Sequence, residues 1–250
     1  LTPGAGSYHG TEITGLSLTQ YIPYAGDGLA ALTVGQLDVI DLVQGFFPET
    51  GYGQEGFWNV NALTTTMPWL GGVNGLSLYG STLVLIDKKH SIPQSGLLFM
   101  GTESQSTQTG SVNDSFSDGA FMAAFHRFIW DVNDKMGYFM IFAGGSTRDQ
   151  ASTDKNDITI KPGEGLVSED DEKPWNVALI LYQEFWKDAS NPARSARFKL
   201  GGTFGSDNPQ MSDYSVFGNV EMHGVFASRP LDRMGAAFWY NSIAQNYKDL

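Results

Sequence analysis

"VFGNVEMHGVF", residues 216–226, alternates with almost no exception. Val216, Val220, Met222 and Phe226, with Gly218 and Gly224 between them, fall on one side of an extended chain. Asn219, Glu221 and His223 fall on the other. A strand shows successive side chains to opposite faces, so this segment has one apolar face and one polar face. In a water-soluble domain the apolar face turns inward. In a membrane-spanning barrel it turns outward to hydrocarbon, and the polar face encloses water.

Ten segments read as strands from alternation, aromatic content and flanking turn residues. They lie at 11–22, 28–40, 75–87, 94–101, 119–130, 137–147, 174–186, 195–205, 214–226 and 232–243. Most exceed the five or six residues of ordinary strands and suit the roughly 9–11 that a tilted membrane-crossing strand needs. The connections favour the same reading. Links 23–27, 88–93, 131–136 and 227–231 are short, 41–74, 102–118 and 148–173 are long and mostly rich in Gly, Ser, Thr, Asp and Asn, and 187–194 and 206–213 are similar to each other in length. Short turns at one end and long loops at the other are the habit of an up-and-down barrel. The expected fold is therefore all-β, an antiparallel up-and-down transmembrane β-barrel in a single domain.

The bulk numbers agree. Charged residues make up 17% of the 250, against about 25% in a typical soluble protein. A net charge of −12 argues against a phosphate-binding surface, so no nucleic acid is expected as partner. The absence of cysteine removes thiolate metal sites and cysteine nucleophiles together.

Other segments repeat the opening pattern. In "ARFKLGGTF" Phe198, Leu200 and Phe204 oppose Arg197, Lys199 and Thr203. In "DRMGAAFWYN" Met234, Phe238 and Tyr240 oppose Arg233, Trp239 and Asn241. In "WNVALILYQEFW" Val177, Leu179, Leu181 and Phe185 oppose Asn176, Ile180, Tyr182 and Glu184. Aromatic rings gather at strand ends (Trp130, Tyr138, Trp175, Phe185, Trp186, Phe226), as interfacial girdles do. A barrel requires Arg197, Lys199, Glu221, His223 and Arg233 to line the lumen, since a Lys or Arg facing lipid at mid-depth costs about 2–4 kcal/mol. A soluble β-sandwich that binds carbohydrate accounts for the same alternation and is the alternative. It places Phe198, Val220 and Phe238 in a dry interior.

Five ordered pieces carry a family resemblance: "LTVGQLDVID" (32–41), "FAGGSTRD" (142–149), "EKPWNVALILYQEFW" (172–186), "FKLGGTFGSDNPQ" (198–210) and "ASRPLDRMGAAFWYN" (227–241). Together they resemble the OprB-type carbohydrate-selective porins of bacterial outer membranes. The resemblance implies a barrel of about 16 strands whose inward-folded loops narrow a sugar-admitting pore. It implies small sugars and outer-membrane lipid as partners, a bacterial outer-membrane location, and it is compatible with a homotrimer. Ten readable strands then imply a partial chain.

Enzyme motifs are absent: there is no G-x-S-x-G, H-E-x-x-H, P-loop or G-x-G-x-x-G. His9, His90, His126 and His223 share no ligand spacing, so neither a catalytic centre nor a resident metal or cofactor is expected. Asp149, Asp154 and Asp157 stand close enough in one loop to hold calcium, but without the twelve-residue loop grammar of such sites. A sugar pore needs polar groups that match hydroxyl pairs and rings over which C–H faces slide. The candidates on the lumen face are Arg197, Lys199, Asn219, Glu221, His223, Arg233 and Asn241, with Trp239 and Tyr182 as platforms. Loop 41–74 carries Phe46, Phe47, Phe57, Trp58, Met67 and Trp69, too apolar for a free outer loop. It is expected to fold into the lumen, with a short helix inside 54–63 and with Asp38 and Asp41 near the constriction.

Overall fold

The computed structural model describes residues 15–24, 28–38, 41–42, 46, 77–102, 112–163, 165–168, 170–210 and 212–249. In chain order the first strands are β1 (Leu16–Tyr24), β2 (Gly28–Asp38), β3 (Ser77–Asp87), β4 (Ile92–Gly101), β5 (Ala120–Val132) and β6 (Lys135–Ser146). Four short strands follow: β7 (Gln150–Ala151), β8 (Ile158–Lys161), β9 (Gly165–Ser168) and β10 (Asp170–Glu172). The chain then resumes long strands with β11 (Trp175–Lys187), β12 (Ser195–Gly205), β13 (Ser212–His223) and β14 (Arg233–Ile243). Two helical turns, α1 (Val112–Ser115) and α2 (Gln245–Asp249), complete the described elements.

The ten long strands form one sheet, each antiparallel to its chain neighbour, in the order β1-β2-β3-β4-β5-β6-β11-β12-β13-β14. This is up-and-down topology. All ten expected strands are present, with ends that differ by a few residues where both are described. Among the described residues β1 and β14 are the sheet's outer edges and do not pair with each other. The connection after β6, read as plain solvated loop, instead holds two small sheets, β7 with β10 and β8 with β9. Strands of two to four residues are too short for alternation to reveal.

Turn chemistry fixes the short end. Asn133 and Asp134 join β5 to β6 with positive φ at both residues (50° and 59°). A two-residue hairpin of that kind matches strand twist, and Asn and Asp tolerate it best after Gly. At the β11–β12 turn, Arg194 pairs with Asp188 and donates from Nε to Gly224 O (2.7 Å) and from Nη2 to Val225 O (3.2 Å). It thereby ties that turn to the one after β13. The β3–β4 and β5–β6 turns are tied likewise, since Lys89 pairs with Asp131 and His90 bridges Asp87 and Asp131.

The long end has its own clamp. Asn208, in the β12–β13 connection, accepts from Thr153 N (2.7 Å) and Thr153 Oγ1 (2.9 Å). Its Nδ2 donates to Ser152 Oγ (2.8 Å) and Glu172 Oε1 (3.0 Å). One amide therefore fastens the connection after β6 onto its neighbour.

The two faces of the sheet differ in kind. On the outer face stand exposed apolar side chains from almost every long strand: Leu18, Val34, Leu83, Leu97, Met122, Ile141, Leu179, Leu200, Val220 and Phe238 among them. The inner face of β2–β6, β11 and β13 packs a cluster that includes Leu78, Leu98, Met100, Phe121, Phe125, Met140, Phe142, Ile180 and Phe217. The inner face of β11–β13 also buries polar side chains. Thr203 and Ser215 lie there beside Lys199, Asn219 and Glu221.

Candidate functional site

The site is built from rows of side chains that strand register sets side by side. One row runs Tyr138 (β6), Tyr182 (β11), Lys199 (β12), Asn219 (β13) and Ala237 (β14). The next row toward the short turns runs Glu184, Arg197, Glu221 and Gly235. Directly opposed and diagonal neighbours across antiparallel strands are within reach of long side chains. Charges of opposite sign at these positions therefore meet.

Glu221 is the hub. Its Oε1 accepts from Lys199 Nζ at 2.6 Å and its Oε2 from Arg197 Nε at 2.9 Å. Arg197 Nη2 lies 2.8 Å from His223 Nε2. Lys199 is 5% exposed and Glu221 7%. Charges this enclosed persist only when paired and hydrogen-bonded, and each carboxylate oxygen here has a cation on it. Next to them the Tyr138 and Tyr182 rings stack, centroids 4.7 Å apart and planes within 4°.

The residues that alternate with this network face the other way, as the sequence pattern requires. Leu200, between Lys199 and Gly201, is 46% exposed, and Phe238 is 55% exposed. Val220, flanked by buried Asn219 and Glu221, is exposed too, and Phe198 is half-buried. A sandwich would bury Phe198, Val220 and Phe238 beneath a second sheet. Among the described residues the only other sheets have two strands each.

Of the candidate residues, the structure brings Arg197, Lys199, Glu221 and His223 into one bonded network, with Asn219 beside Lys199 in register. Arg233 faces His223 across β13 and β14 and is exposed. Trp239 packs against the inner apolar cluster, opposite Phe217. Asn241 pairs in register with Ser215 toward the long end, its Oδ1 enclosed and accepting no hydrogen bond from the described residues. Asp38 and Asp41 stand elsewhere, at the long-connection end of β2, where Asp41 N donates to Asp38 Oδ1 at 3.3 Å. They are not part of the network. The remainder of loop 41–74, its expected helix included, lies outside the described residues, save Asp41, Leu42 and Phe46. The latter two pack against the inner cluster.

The acids weighed for calcium are engaged otherwise. Asp149 pairs with Lys173 at 2.6 Å, Asp154 Oδ1 accepts from Asn156 N and Nδ2, and Asp157 accepts from Ser152 Oγ. No group of three acidic or histidine side chains disposed to hold a metal occurs among the described residues.

Two residues escaped the sequence reading. Asn208 sits in a short connection with no periodicity to mark it. Arg127 is one polar position in "AFHRFIW", and beside His126 the pair reads as a break in alternation rather than as a buried cation. It is 1% exposed.

No family model and no curated protein sequence matches this chain. Among solved structures it is similar to OprB of Pseudomonas putida, determined at high pH, with a TM-score of 0.64 and 13% identity. The match covers 88% of this chain and 52% of that one, so the chain spans about half the length of the protein it resembles. The fold is thus an all-β, antiparallel, up-and-down barrel fold. Its likeness to OprB is one of fold.

Proposed function

We propose that this chain builds part of the wall of a passive outer-membrane channel for small polar solutes, with small sugars as the solute class. The observation that carries the reading is the reversal of faces: Lys199, Glu221 and Asn219 are enclosed while Leu200, Val220 and Phe238 are bare. Only a solvent that is apolar outside and aqueous inside makes that arrangement favourable. In this reading hydrocarbon covers the outer face, and Arg197, His223, Asn219, Asn241 and Arg233 offer hydrogen bonds along the lumen, with Tyr182 and Trp239 as ring surfaces. Such contacts are shallow and several, which lets a solute leave as readily as it enters. The inward course of loop 41–74 and a homotrimeric assembly belong to the same proposal. So does the absence of catalysis: the carboxylate of Glu221 is occupied by two cations and faces no nucleophile.

Proteoliposome swelling tests the reading. Liposomes carrying the full-length protein should swell in isotonic monosaccharide faster than protein-free liposomes, and progressively more slowly with larger oligosaccharides. Swelling no faster than the control for every mono- and disaccharide tried overturns it.

A further inference from the structure

Arg127 is a fully enclosed cation on the inner face of β5, and the groups around it come from four places in the chain. Its guanidinium lies over the Phe125 ring (5.1 Å to the centroid) and the Tyr138 ring (5.3 Å). Nη1 donates to Pro93 O, at the start of β4, at 2.6 Å. Nη2 donates to Phe46 O, in the connection that follows β2. The Phe46 ring in turn lies 5.9 Å from the Phe125 ring, tilted by 39°. Leu42 and Phe46 both pack against the inner cluster.

Burying a guanidinium is costly unless its donors are satisfied, and ring faces supply attraction only where the cation is held in place. Carbonyl oxygens of backbone can hold such a fork in a fixed direction, because the guanidinium is planar and its donors diverge. Arg127 thus spans a gap: one side of the fork is fixed to the wall at Pro93, the other to a segment 81 positions away in sequence. We infer that Arg127 is a positioning residue that latches the connection after β2 onto the inner wall at Phe46, and so affects solute passage past that point. The effect on solute passage rests on the channel proposed above; the latch itself does not.

The natural chain has no cysteine, so a single introduced one is a clean reporter. Leu42→Cys, with and without Arg127→Ala, is reacted in proteoliposomes with a hydrophilic maleimide, and the same channels are measured in planar bilayers. With Arg127 present the introduced thiol should react slowly. In Arg127→Ala it should react about ten-fold faster, as a protected segment does once released, and single-channel conductance should rise. Arg127→Lys, which keeps the charge but not the planar fork, should label at an intermediate rate. It serves as the test if the alanine variant fails to show the heat-shifted gel mobility of a folded barrel. Equal labelling rates in the parent and in whichever variant folds overturn the latch, whatever the conductance. A labelling contrast in a protein that conducts nothing sustains the latch and discards the channel reading.

Discussion

Lys199 and Glu221 meet on the diagonal between β12 and β13, Nζ 2.6 Å from Oε1, with both side chains enclosed by the inner face. Their register partners are Asn219 and Arg197, so the pair closes a four-residue square in which the second carboxylate oxygen takes Arg197.

Removing the carboxylate from that square takes away the group that both cations bond. Glu221→Ala should lower stability by about 3 kcal/mol, the lower range for breaking an enclosed pair. Urea unfolding in detergent micelles measures it. The double variant Glu221→Met with Lys199→Met should lie closer to the parent than Glu221→Ala does, with a coupling of about 1 kcal/mol or more between the two sites. Strict additivity would show that the two groups act independently.

Leu200 tests the medium outside the sheet. Were that face in water, exchanging a half-exposed leucine for lysine would be nearly neutral. In hydrocarbon Leu200→Lys should cost about 2–4 kcal/mol near the bilayer midplane. Folding equilibria in liposomes distinguish the two, and a change within about 0.5 kcal/mol, as surface substitutions usually give, would place water there.

Much of this was legible beforehand, and the reason is local. From β11 to β14 the polar side chains fall mainly on one face, so period-two alternation reports orientation, and of the expected set Arg197, Lys199, Glu221, His223 and Arg233 the first four meet in one network while Arg233 stands exposed beside His223. From β4 to β6 the signal fails because both faces are apolar: Leu97 and Leu98, or Phe125 and Phe128, differ in exposure but not in polarity. The cluster around Phe121 and Met140, and Arg127 within it, could not be assigned a side from sequence. Asp38 and Asp41 were placed by proximity to a loop, a relation that register does not encode.

Asn208 concentrates four hydrogen bonds at the long end. Asn208→Ala should release the connection between β6 and β11 at a local cost of about 1–3 kcal/mol, the penalty for orphaned enclosed groups. Limited proteolysis of the reconstituted protein should then cut within 147–174 faster than in the parent, while the heat-shifted mobility of the barrel is kept. Unchanged cutting would show that β7–β10 hold themselves.

Asp188 gives the short end a pH dependence. The Ser190 hydroxyl (2.6 Å) and Ser190 N (2.8 Å) donate to it, which holds its carboxyl below the ordinary value of 3.8. A depressed folded value stabilises the native turn fully above pH 3.8 and loses that contribution as pH falls through the folded value. Asp188→Asn should therefore melt earlier than the parent at neutral pH, and the gap between the two melting temperatures should shrink under acid. A gap that does not narrow as the pH is taken from neutrality to well below 3.8 would remove Asp188 from the account.

Gly201 and Phe217 oppose each other on the inner face, and a Cβ on Gly201 would come 2.5 Å from Phe217 Cζ. Phe125 likewise reclines over Gly96. Rings that lie down on bare backbone take up breadth along the wall and little height above it. In the proposed channel such rings would be tiles rather than bristles, and a single methyl group at Gly201 would push one of them off the wall.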